Sequence, residues 1–129
     1  MSILKNTNFV FLISWLLFIF ILCIMPTDQL PKVSWNLLEP DKWVHATIFI
    51  IYGYLAIRAF SAPFQAHTRR TACYILLFAI LYSIFLETYQ HYGTANRCFE
   101  LADIVSNTFG TMLALAVGVY KQAKQSEGQ

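Results

Sequence analysis

Three short stretches of this 129-residue chain hold most of the side chains able to act as acids, bases or ligands. Asp41, Lys42 and His45 form the first, Ser83, Glu87 and Gln90 the second, and Arg97, Glu100, Asp103 and Asn107 the third. On a helix, residues three or four apart share a face. Asp41 therefore sits with His45 and Asp103 with Asn107, while Ser83, Glu87 and Gln90 form one stripe. Tyr52 follows His45 by one heptad on a similar face. An imidazole with carboxylates suits several divalent ions, so His45, Glu87 and Asp103 make a candidate facial metal set. A His45–Glu87 pair could also move protons as base and acid, which makes the same three residues the candidates for catalysis. Against both stand the lack of HExxH-like spacing and of any marked nucleophile. His91, after Gln90, reads as a solvated interfacial histidine. The expectation is no bound metal and no cofactor.

Each feature also has a purely structural reading. Asp41, after Pro40, and Asp103 could cap helices, where a negative charge favours the N-terminus. Glu87 resists that explanation, because it falls near the C-terminal end of its helix, where the dipole disfavours an anion. It calls for a cationic or hydrogen-bonding partner, with Arg97, Lys42 or His45 in reach. A salt-bridge network that only holds helices together is the plain alternative.

The elements that position these residues are membrane helices. Hydrophobic residues make up 57% of the chain and charged ones 12%, against about 45–50% and about 25% in ordinary soluble domains. The mean hydropathy of +0.53 agrees. This excludes a disordered chain, a secreted disulfide scaffold and a nucleic-acid binder. Four apolar blocks, at about 9–25, 43–60, 72–92 and 101–120, each approach the ~20 residues a helix needs to cross a bilayer. None alternates as a barrel strand would. The first is too long for a signal-peptide core and runs into Pro26-Thr27-Asp28 rather than a cleavage site. The fold class expected is all-α, a polytopic four-transmembrane-helix bundle. Its connections are short: Pro26 to Lys42, with Trp35 and Leu37-Leu38 at the interface, then a loop with Pro63, His67, Arg69 and Arg70, then Gly93 to Glu100. A short polar tail after Lys121 is expected to fray.

Four crossings put six bases (Lys5, Arg58, Arg69, Arg70, Lys121, Lys124) and one acid, Glu127, on one side. The other side has Lys32, Lys42 and Arg97 with Asp28, Glu39, Asp41, Glu87, Glu100 and Asp103. The basic bias places both termini in the cytoplasm. Arg69-Arg70 is most simply part of that signal, with anionic-lipid contact the sharper reading. Ser106, Gly110, Ala114 and Gly118 recur every four residues, a small-residue stripe that admits a close neighbour. The polar stripes then converge inside the bundle toward the outer leaflet, since an intramembrane carboxylate costs about 2.5–3.5 kcal/mol facing lipid. Cys23, Cys73 and Cys98 lack metal or redox spacing. Cys73 reads as a core filler, and a Cys23–Cys98 bridge is left open.

Asp41-Lys42-Trp43-Val44-His45, Glu87-Thr88-Tyr89-Gln90, and the run from Arg97 through Asp103 and Asn107 to Gly110 together resemble the VanZ-like family, over roughly residues 40–118. The chain departs from the pattern at Gly93-Thr94-Ala95-Asn96, where many relatives place a Pro-Gly-type turn, and at Cys98. The resemblance implies one VanZ-like transmembrane domain over 1–129, multi-pass in a bacterial cytoplasmic (inner) membrane, with its motif residues at the outer boundary. The family's namesake is associated with teicoplanin resistance. The family's motif residues carry over to Asp41, Lys42, His45, Glu87, Gln90, Arg97, Asp103 and Asn107; read from their chemistry and place, Lys42, His45, Glu87, Gln90, Arg97 and Asn107 are expected to bind a ligand, and Asp41, Asp103 and Gly110 to be structural or capping. The implied partners are the bilayer and an anionic or lipid-linked cell-wall precursor, with no nucleic acid. Alternatives are a membrane-embedded hydrolase or transferase on an envelope lipid and a structural accessory subunit. Four helices without a repeat leave little room for alternating access.

Overall fold

A computed structural model describes the backbone of residues 2–25, 40–93 and 99–128, and side chains over 7–25, 41–93 and 99–128. Five helices occupy these residues: α1 (Ser2–Ile24), α2 (Pro40–Ala59), α3 (Ser61–Ala66), α4 (Thr68–Gly93) and α5 (Leu101–Glu127). No strand occurs among the described residues. A bilayer favours this outcome, since a helix satisfies its own backbone groups where water cannot. α1, α4 and α5 contain stretches at 7–24, 68–93 and 101–127 that are long and apolar enough to cross a membrane. α2 has 20 residues but carries Asp41, Lys42, His45 and Arg58 and falls outside that set.

Several boundaries differ from the sequence expectation. The loop expected between the second and third blocks is the short helix α3, and α4 starts at Thr68, so Arg69 and Arg70 are helical. Pro63 lies in the first turn of α3, where its missing N–H leaves no helical bond unmade. Its carbonyl accepts from the His67 N–H (2.8 Å) and the Thr71 hydroxyl (2.9 Å), which fixes the corner. The tail expected to fray continues α5 to Glu127, because Lys, Gln and Ala are good helix formers and no Gly or Pro intervenes before Gly128. Cys73, expected in the core, is exposed, because α4 turns Thr71 and Ile75 inward and leaves Cys73 on the opposite side. The 26–39 connection with Trp35, the turn before Arg97, Arg97 itself, Cys98 and hence any Cys23–Cys98 bridge lie outside the described residues.

α2 is the centre of the bundle, packing on α1 and most extensively on α5. The small-residue stripe of α5 permits this approach. A Cβ added at Gly110 would lie 2.9 Å from the Ala46 carbonyl carbon, and one at Gly53 would lie 2.7 Å from the Ala114 Cβ. Phe49, Tyr52, Ala56, Ile75, Ala79 and Leu86 fill the core. Three aromatic polar tips cross between helices to backbone carbonyls: Trp15 Nε1 to Ile48 (3.1 Å), Tyr52 Oη to Ile75 (3.2 Å) and Tyr82 Oη to Leu16 (2.7 Å). Large apolar side chains such as Phe11, Leu17, Leu81, Phe85, Phe109 and Val117 point outward, a surface that suits lipid and is rare on soluble monomers.

Gly110→Ala must push α2 from α5, because the obstacle is backbone. Thermal unfolding in detergent is expected to show a loss of about 1–3 kcal/mol. Gly118→Ala should cost less, since it meets the movable end of Ile57. Equal, small effects at both sites would contradict this packing.

Candidate functional site

α2 and α5 start, and α4 ends, at one end of the bundle, so the three polar stripes meet there. Pro40 suits the first turn of α2, where its ring pre-sets the backbone and no N–H is needed. Asp41 and Lys42 follow in that turn, with His45 one turn on. The Lys42 ammonium donates to Asp103 Oδ1 and, at 2.5 Å, to Glu100 Oε2, while Asp41 Oδ2 stands 4.0 Å away. Asp103 is 4% exposed, so this ion pair closes the joint between α2 and α5 from inside.

His45 lies beside the pair. Its Nδ1 is 3.1 Å from Asn107 Oδ1. Nε2 consequently faces the carboxylates, 3.5 Å from Asp103 Oδ2 and 3.7 Å from Asp41 Oδ1. Asn107 is itself 2% exposed, which sets the imidazole orientation firmly.

Glu87, 2% exposed near the end of α4, finds its partner in the backbone. Its Oε2 accepts the Glu100 N–H at 3.0 Å, and Asp103 and His45 also lie within its electrostatic reach. Glu100 is the N-cap of α5 and makes no side-chain cap bond. In a capping box the third helical residue would return to the N-cap N–H. Asp103 holds that position but faces Lys42, and Glu87 from α4 satisfies the N–H instead. Asp103 thus stands in the first turn of α5, where its charge suits the helix dipole, while the N-cap N–H is taken by a residue on another helix. Gln90, also buried, donates from Nε2 to the Cys23 carbonyl at 3.3 Å and ties α4 to α1.

Asp41, His45 and Asp103 bring one potential ligand atom each to within 4.8 Å of one another. Two carboxylates and an imidazole fit a divalent ion by donor type. Asp41 joins His45 and Asp103 in this grouping, and Glu87 stands next to it, within electrostatic reach of both Asp103 and His45. Glu100, which the sequence placed in the third polar stretch without a role, joins the cluster through both its backbone N–H and its side chain. Its signal was its place just before a helix start, three residues ahead of Asp103. Beside the cluster, a cleft of about 130 Å³ opens between α1, α2 and α4, with Asp41, His45 and Gln90 at its polar edge and Ile19, Ile48 and Leu86 on its apolar wall.

Lys42→Met would leave Asp103 buried without its main cation, and a loss of about 3 kcal/mol is expected. In Lys42→Met/Asp103→Asn the two losses should overlap by at least about 1 kcal/mol. Strict additivity in detergent unfolding would show that the pair does not join the helices.

Comparison with curated proteins and with solved structures gives no match. The family model described as VanZ/LLP1 matches residues 9–121. That match takes in α2, α3 and α4, most of α1 and α5, and every residue of the polar cluster. With membrane-type helices, buried motif carboxylates and a match over most of its length, the chain belongs to the VanZ/LLP1 family.

Proposed function

We propose that this VanZ-family membrane protein binds a lipid-linked component of the bacterial envelope at the Asp41–His45 cleft. The observation that supports the reading is the cleft itself, with an apolar wall for a hydrocarbon chain and a polar edge for a headgroup. Lys42 is engaged by two carboxylates, so within the described residues Asp41 and His45 take the ligand-facing role. Arg97 supplies the contact for an anionic group. Glu87, Gln90 and Asn107 hold these groups in place, and Gly110 lets α2 approach.

In this reading α2 is the fourth span. At 20 residues it is about 30 Å long, enough for the hydrocarbon core; His45 and Tyr52 turn into the bundle, and the exposed Asp41 and Arg58 stand near its two ends. The basic bias of the Arg58/Arg69/Arg70 end puts both termini in the cytoplasm and the cluster at the outer face of the inner membrane. There, lipid-linked wall precursors are the natural ligand, and an effect on teicoplanin susceptibility would follow from holding or altering one. A fluorescent protein fused after Gln129 should fold and fluoresce in the cytoplasm, whereas an active periplasmic reporter at that point would reverse the orientation.

A second reading, a metal-dependent or acid–base hydrolase or transferase, is favoured by the Asp41–His45–Asp103 grouping and by the orientation of His45. One experiment separates the two. Lipids co-purifying with the native chain should include a lipid-linked precursor that is lost in His45→Ala and Asp41→Ala. Retention of the same lipids by both variants would sink the binding reading. A stoichiometric divalent ion lost in His45→Ala, together with envelope lipids altered in a Glu87→Gln strain, would favour the enzyme.

A further inference from the structure

The opposite end of the bundle holds a larger cavity that the polar cluster does not explain. It measures about 490 Å³ and lies between α1, α2, α3 and α4, within the ~300–1,000 Å³ of typical small-molecule sites. Leu12, Leu16, Ile75 and Phe78 form its apolar walls, and His67 and Arg70 stand at its mouth. The mouth has a stable shape, because the corner between α3 and α4 is fastened by the two bonds to the Pro63 carbonyl. Arg70 is held at the rim: its Nε donates to the Tyr74 hydroxyl at 3.3 Å, and its guanidinium carbon lies 5.8 Å from the Tyr74 ring centre.

Charge identifies the occupant. Arg58, Arg69 and Arg70 lie at this end, and among the described acids only Glu127 belongs to it. Asp41, Glu87, Glu100 and Asp103 are all gathered at the other end. An apolar chamber within a bilayer takes hydrocarbon rather than water, and a basic mouth between membrane helices selects an anionic headgroup. We propose that the chain binds one anionic phospholipid here, with an acyl chain among Leu12, Leu16, Ile75 and Phe78 and its phosphate at Arg70 and Arg69. The site is separate from the Asp41–His45 cleft, so the failure of either assignment leaves the other standing.

Native mass spectrometry of the full chain tests this after reconstitution in vesicles of equal phosphatidylglycerol and phosphatidylcholine with identical acyl chains. One bound lipid per chain is expected, with phosphatidylglycerol preferred at least about fivefold. Arg69→Gln/Arg70→Gln changes only exposed side chains and should bring the ratio near one. Leu16→Trp, which fills the chamber, should reduce retention of both lipids. An unchanged preference in the double arginine variant would overturn the proposal. Equal retention of the two lipids by the parent chain, or a dimer that excludes lipid, would do the same.

Discussion

The Lys42 ammonium between Asp103 and Glu100 is the interaction on which the acid-rich end depends. It joins the first turn of α2 to the first turn of α5, and both carboxylates are reached from one nitrogen. In a low-dielectric setting neither a lone lysine nor a lone buried aspartate would be tolerated at such a place. Once the pair is made, the rest of the cluster falls into position. His45 is carried beside Asp103 by its place one turn after Lys42, and Asn107 by its place one turn after Asp103. Glu87 then meets the N–H of the same residue whose side chain holds Lys42.

That ion pair needs two helices in close contact, which the small residues of α5 allow. Gly110 and Ala114 let the α2 backbone come within side-chain reach of Asp103 and Asn107. The consequence is an inverted distribution of polarity. α1, α4 and α5 show apolar side chains to the outside, whereas α2, at the centre, carries Lys42, His45 and Tyr52 against its neighbours and leaves Asp41 half exposed at its start. The same arrangement sorts the charges into an acid-rich end and an arginine-rich end, and each end has its own cavity.

Much of this was legible along the chain. The apolar blocks marked the helices, since lipid leaves few other solutions for runs of that length. The stripe from Ser106 to Gly118 marked the close-packing face, and the spacings of Asp41/His45 and Asp103/Asn107 correctly paired residues on common faces. The three motifs also carried the family, later matched over 9–121. The ends of the helices were less legible. α3 and the extension of α5 to Glu127 depend on weak local propensities that an apolar-block reading overlooks.

The sequence by itself determined the class of protein, the helical segments, the faces on which polar groups stand and the family. These follow from hydropathy, helical periodicity and motif spacing, all of which are local. Only the tertiary structure decided which groups meet. It gave Lys42 to Asp103 and Glu100, gave Glu87 a backbone N–H in place of a cation, and added Asp41 to the group that His45, Asp103 and Glu87 form. Partners on different helices depend on the rotation and depth of each helix against its neighbours. Those are set by packing at contacts such as Gly110 on Ala46, which no spacing within one helix encodes.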